Sequence, residues 1–400
     1  MTPELTRRIW FTLGALLVFR LGTFIPLPGF APSVWEQIFR SQADSTLGMA
    51  NLLSGGAIHR LAIFALGLLP YISAAVLLQL LPIISKRLRA LRTQGERGRR
   101  TIDLYTRALT VLLSLLQAYG IAIGLESVPG LVAEPGWLFR TTTVLTLAGG
   151  VMALVWLSEW ITARGLGNGV TLILFVGLVT EVPAGIAGML ELSRRGILSD
   201  GTILALLGSA IALTALVVAV ERGRRRLPVH AQGGEGDPPS YLSFKLNNAG
   251  IIPAVLASWV LFLPTAIVFL VAPAWEAQLR GPLVTIVYAA LIVACAFFYT
   301  AFLIDPDAAA ERLKKRAAVI PGIAPGEPTA EHIDGVISRL TMIGAIYLAL
   351  VYLVPAILVA MAPVPFYFGG ASLLIVVCAI LDLEDHIRAF ASVKTGVRHQ

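Results

Sequence analysis

The sequence predicts an all-α integral membrane protein: ten transmembrane helices, divisible into two five-helix halves of opposite direction, with one short re-entrant helix. Three observations carry this. Of 400 residues, 56% are hydrophobic and only 14% charged, against roughly 25% charged in a soluble domain. The apolar residues lie in long continuous runs separated by segments rich in Gly, Pro and charge, and about 20 apolar residues cross a ~30 Å hydrocarbon core as a helix. The runs do not alternate apolar with polar positions, which excludes a membrane β-barrel. The 37 Gly and 23 Pro suit membrane helices, where both are commoner than in soluble ones.

The first run, 9–27, follows Arg7 and Arg8, ends at Pro26 and Pro28 and shows no small-residue cleavage site, so it reads as a retained span. The second, 57–84, is interrupted by Gly67 and Pro70. Before that break, Ser54 to Phe64 supplies a Gly pair and about two helical turns, ~12 Å long, well short of a span. A short element carrying His59 and Arg60 reads as re-entrant; the alternative is one long tilted helix over 57–84. Spans three to six are 104–124, 141–160, 169–190 and 201–220. The seventh, 249–272, contains Pro253 and Pro264 and begins at the polar pair Asn247 and Asn248. The last three are 283–304, 336–361 and 366–385.

Basic residues resist translocation, so their distribution sets orientation. With the N-terminus inside, 24 of the 31 Lys and Arg fall on the inner side, leaving Arg20, Arg40, Arg60, Arg140, Arg194, Arg195 and Arg280 for the outer side. Both termini are therefore predicted to be cytoplasmic, and the net charge of +7 needs no nucleic acid to explain it. Five spans per half force the second half to run opposite to the first, so an inverted repeat is possible. The halves are 1–195 and 196–390, with a tail at 391–400 and long inner loops at 221–246 and 305–335. The second and seventh spans, each at the second position of its half, are both interrupted. Paired interruptions point to a transport path, although Pro and Gly are also simply frequent in membrane helices.

Enzyme signatures are missing: there is no HExxH, GxSxG or Walker loop, and the five histidines are scattered. Cys295 and Cys378 stand alone in apolar runs and suggest neither disulfide nor metal. No cofactor is implied. Arg20 and Glu181 are the ionisable residues deepest in predicted spans, with Pro183 after Glu181 favouring an end-of-helix role. The basic inner segments, 86–100, 221–226 and 312–316, read mainly as topogenic charge and secondarily as docking surface for a soluble partner.

Eight collinear segments resemble the SecY family: FRLGTFIPLPG (19–29), LLSGGAIHRLAIFALGLLPYISAAVLLQLL (52–81), GERGRRTIDLYTR (95–107), WLSEWITARGLGNGVTLILF (156–175), KLNNAGIIPAVLAS (245–258), FFYTAFLIDP (297–306), IPGIAPGEPTAEHIDGVISRLT (320–341) and VPFYFGGASLLIVV (364–377). The resemblance implies a protein-conducting channel that passes unfolded chains and releases hydrophobic segments sideways between the second and seventh spans. It implies a pore ring of Leu68, Ile72, Val170, Leu174, Val255 and Ile375, and a plug at 54–66 that includes Ser54, Gly55, Gly56, Ala57, Ile58, His59, Arg60 and Leu61. The lateral gate would hold Pro70, Gln79, Asn247, Asn248 and Pro253. Docking would use Arg99, Arg100, Arg224, Arg225, Arg226, Lys314, Lys315 and Arg316. Implied partners are the SecE and SecG subunits, the SecA motor or a ribosome, unfolded secretory and membrane proteins, and the lipid bilayer of the bacterial cytoplasmic membrane. An aliphatic ring dewets when empty and yields to bulky chains without binding them.

Two departures from the family pattern fall on the inner loops. Ala324 stands where PGIRPGE is usual, and HAQGGEGDPPS (230–240) replaces a basic loop tip; Asn248 stands where NMAG has Met. These leave open a divergent or accessory member. A small-solute transporter would need a compact polar midplane site, and Asn168, Asn247 and Asn248 are the main polar candidates. A non-conducting scaffold is the third reading.

Overall fold

Apolar runs of this length fold as helices because a bilayer offers the backbone no partners, so each segment must satisfy its own N–H and C=O groups. The computed structural model describes residues 3–41, 51–231, 240–258, 260–261, 282–316, 318–361 and 369–395. These fall into two units, one of residues 3–200 with 375–395 and one of 201–361 with 369–374.

The first unit contains α1 (Pro3–Gly22), α2 (Pro32–Ser41), α3 (Leu69–Ile84), α4 (Lys86–Thr93), α5 (Gly95–Glu126), α6 (Trp137–Arg164) and α7 (Gly169–Arg194). The second contains α8 (Asp200–Arg222), β1 (Arg224–Ala231), β2 (Ser240–Lys245), a helical stretch at 252–258, α9 (Pro282–Leu303), α10 (Pro306–Lys315), β3 (Ala318–Val319) and α11 (Glu327–Met361). A last helix, α12 (Gly370–Thr395), enters the first unit from residue 375. Nine of the ten predicted spans thus correspond to described helices, six of them long and apolar enough by themselves to cross a membrane and α3 shorter at 16 residues, and the seventh to the stretch opening at 252. Pro264, the rest of that span and residues 232–239 lie outside the described residues, as do 396–400.

Lipid tails are as apolar as leucine, so helices in a bilayer associate through close packing of small residues. α5 illustrates this: Thr106, Thr110, Ser114, Ala118 and Ala122, four residues apart, are buried, while Leu104, Leu112, Leu116 and Ile123 on the other faces are exposed. The Thr106 and Thr110 hydroxyls donate to the carbonyls four residues back, at 2.9 and 2.7 Å. α6 exposes Trp137 and Trp156, and Trp160 near its far end stacks on Trp156.

Several expectations need correcting. Gly67 and Pro70 do not interrupt the second span. Gly67 (φ 56°) precedes it and Pro70 sits in the first turn of α3, where its missing N–H costs nothing. The basic run 86–100 is helical, forming α4 and the start of α5, because Lys, Arg and Leu are good helix formers. The loop 221–246 carries a strand pair, β1 against β2, with Arg224 opposite Lys245 and Val229 opposite Ser240; β3 adds to β1 through His230 and Ala231. Leu227 and Val229 point inward onto Ile320, Ile333 and Ile337. Helix α12 continues past the predicted tail boundary at 391 to Thr395.

Candidate functional site

The re-entrant element is the first of three features. Expected as a helix, residues 54–68 are instead a succession of turns after a helical stretch at 51–53. Gly55 (φ 68°), Gly56 (φ 79°) and Leu61 (φ 43°) take left-handed backbone, which ends any helix. The element is stitched to the chain after α1: Leu27 N–H donates to Leu61 O at 2.8 Å and Ile63 N–H to Ile25 O at 2.9 Å. Asn51 Oδ1 accepts from His59 N–H at 2.8 Å, and Trp35 Nε1 donates to Ile58 O at 3.0 Å.

Its seat is made by absent side chains. A Cβ on Gly22 would lie 2.0 Å from the Phe64 ring, and one on Gly150 would lie 2.1 Å from Ile63 O. Arg20, read from sequence as one of the ionisable residues deepest in a span, donates through Nη1 to Gly55 O at 2.8 Å. Its guanidinium and that of Arg60 lie over the Phe24 ring, at 4.7 and 4.3 Å from the centroid. Glu181 does not end a helix: α7 continues through Pro183 to Arg194, and the Glu181 carboxylate and Arg60 guanidinium both close on Gly56. Sequence reasoning missed this cluster because Arg20, Arg60 and Glu181 are 40 to 161 residues apart in a chain where isolated charges usually sit at helix ends.

The second feature is the aliphatic set. Leu68 (1% exposed) immediately precedes α3, and Ile72 lies on its first turn; both pack in the first unit's core, as does Val170. Leu174 follows Val170 by one turn of α7 and is buried. Asn168 caps α7, Oδ1 accepting from Val170 N–H at 3.0 Å and Thr171 N–H at 3.3 Å. The Asn168 N–H donates to Asp382 Oδ2 at 3.1 Å, tying the start of α7 to α12. Ile375 lies seven residues before Asp382, on the same helical face. Val255 belongs to the second unit, on the stretch 252–258.

The third feature lies wholly in the second unit, where the turn 246–250 leads into that stretch. Asn247 is 4% exposed; its Oδ1 accepts from Gly250 N–H at 3.0 Å and its Nδ2 donates to Glu221 Oε1 at 2.8 Å. Tyr347 Oη donates to the same Oε1 at 3.4 Å. A Cβ on Gly344 would meet Leu246 O at 2.9 Å, so α11 and the turn are in close contact. Pro253 opens the helical stretch as Pro70 opens α3, and both are buried. Gln79 lies on α3, half-buried. The predicted docking residues Arg99, Arg100, Arg224, Arg225, Arg226, Lys314, Lys315 and Arg316 are all exposed. Among the described residues, no group of three or more His, Cys, Asp or Glu is placed to hold a metal.

These features define a helical membrane channel protein with aliphatic residues at its helix starts and a turn-built segment folded back among its spans. The fold matches solved channels: a structure described as a protein-conducting channel aligns with a TM-score of 0.69 at 16% identity, covering 99% of this chain and 95% of that one. Sec61 in the canine ribosome-channel complex aligns with a TM-score of 0.68 at 15% identity, over 99% and 95% of the two chains. The SecY family model matches residues 62–383. Protein translocase subunit SecY of Escherichia coli strain K12 is 42% identical over 404 residues, covering 96% of this chain and 91% of the relative, and that of Rickettsia bellii is 38% identical over 405, covering 97% and 94%. The chain belongs to the SecY family.

Proposed function

We propose that this chain is the conducting subunit of a protein translocase, passing unfolded polypeptides across the cytoplasmic membrane and releasing hydrophobic segments sideways into it. The observation that carries this is similarity to translocase subunits over nearly the whole chain; Leu68, Ile72, Val170, Leu174, Val255 and Ile375 are the residues that the resemblance assigns to the pore. Those residues form the ring, and residues 54–66 form the plug that closes it. A related SecY has a plug domain that stabilises the closed state of its channel; here Arg20, Trp35 and Asn51 hold the corresponding turns. The second and seventh spans supply the lateral gate, with Pro70 and Gln79 on α3 and Asn247, Asn248 and Pro253 at the helix starting at 252. The chain itself catalyses no reaction; SecE and SecG complete the channel, and SecA or a ribosome pushes the substrate from the exposed basic surface. Solved relatives have been seen in ribosome complexes.

The test is crosslinking. A stalled secretory chain should be captured by cysteines placed at Ile72 and Ile375 and not by cysteines at lipid-facing Leu112 or Leu116. Capture at the lipid-facing positions alone would refute the pore assignment.

A further inference from the structure

We infer that the second unit binds one ordered water molecule at the foot of the helix that opens at 252, held between Asn248 Nδ2 and Thr341 Oγ1. A small half-open cavity there is lined by Asn247, Asn248, Ala296, Thr300, Thr341 and Gly344, among others, and roughly 10 Å³ of it is open to a water's centre, room for about one molecule. Small residues on α9 and α11, Ala296 and Gly344, leave the space; the Asn and Thr side chains make it polar.

Two atoms at this place are buried without a hydrogen-bond partner, Asn248 Nδ2 and Thr341 Oγ1. The amide orientation is fixed by its other end, because Asn248 Oδ1 accepts from Lys245 N–H at 3.0 Å, so the unanswered atom is the NH₂ donor. Among the described residues Thr341 shares with Thr143 a buried hydroxyl that has no partner. Thr12, Thr106, Thr110, Thr162 and Thr214 each donate to the carbonyl four residues back, but the Thr341 hydroxyl does not return to its helix. Away from bulk solvent an unanswered donor and an unanswered hydroxyl are both costly, and one water accepting from the amide and bonded to the hydroxyl answers both. This inference stands independently of what the channel carries.

A high-resolution map of the purified wild-type complex should show a peak within hydrogen-bond distance of both atoms. In thermal unfolding of the same complex, Asn248→Met and Thr341→Val should each lower the midpoint by roughly 2 °C or more, since each strands the remaining partner. The double variant should recover part of the loss, because the flexible Met fills the space and both stranded groups are gone, leaving only the solvent-exposed Lys245 N–H without its side-chain acceptor. Additive losses, or a map that resolves other buried waters and is empty here, would overturn the assignment. Should a single variant fail to assemble, the wild-type map decides alone.

Discussion

Arg20 joins a span to the turns at 54–68 through a charged hydrogen bond to Gly55 O, and shares the Phe24 ring with Arg60 of those turns. A hydrogen bond from a charged donor contributes about 1.5–3 kcal/mol, enough to shift a seated-to-unseated equilibrium by tenfold or more. Arg20→Ala should therefore raise the resting ion leak of reconstituted channels by about that factor, read as single-channel open time, whereas Arg20→Lys should recover part of the seal. Unchanged leak would remove Arg20 from the seat. Gly150 makes the complementary point, since a methyl there meets a backbone oxygen that cannot rotate away. Gly150→Ala should cost about 1–3 kcal/mol through overpacking, seen as a lowered melting midpoint and increased protease nicking near residue 63.

At the scale of elements, the foot of the helix opening at 252 is held by Glu221, whose carboxylate serves Asn247 and Tyr347 together. Glu221→Ala removes the acceptor that both share, leaving Asn247 Nδ2 its longer contact to Gly250 O at 3.4 Å, and should destabilise the purified protein by about 1–2 kcal/mol; Glu221→Gln, which keeps a carbonyl acceptor, should lose less. If the two variants melt alike, the shared carboxylate is not what holds the turn. Hydropathy located the spans because it depends on runs about 20 residues long. It could not separate Leu69–Ile84 from the turns before it, because Ala62 to Leu68 is as apolar as the helix, and only left-handed Gly67 and the proline that follows mark the boundary. β1 escaped notice because ERGRRR reads as charge, and its period-two pattern lies in two residues, Leu227 and Val229. The aliphatic set is proposed from motif likeness alone: nothing in composition distinguishes Val170 from a lipid-facing valine. The Arg20, Arg60 and Glu181 cluster needed coordinates, being an arrangement made by folding and not by spacing.

For the whole molecule, the 24 inner and seven outer basic residues predict that both termini face the cytoplasm. A phosphatase that folds only outside the cell should be inactive when fused after Arg398 and active when inserted in the loop near Gly130. Ala324, exposed at a turn where its carbonyl accepts from Thr329 Oγ1 at 2.8 Å, has room for a longer side chain. Ala324→Arg should therefore fold normally, and if docking uses this loop it should increase the motor or ribosome recovered with the purified channel; equal recovery would place docking elsewhere. The exposed tryptophans of α6 have a further consequence. Trp137 and Trp160 stand 23 positions apart, which at 1.5 Å per residue is ~34 Å, close to a hydrocarbon core with its two interfaces, where indole rings prefer to reside. The helix is thus a ruler for the bilayer: lipids with markedly shorter or longer acyl chains must tilt it or deform around it, and through its packing against α1, α5 and α7 hydrophobic mismatch reaches the seat at Gly150.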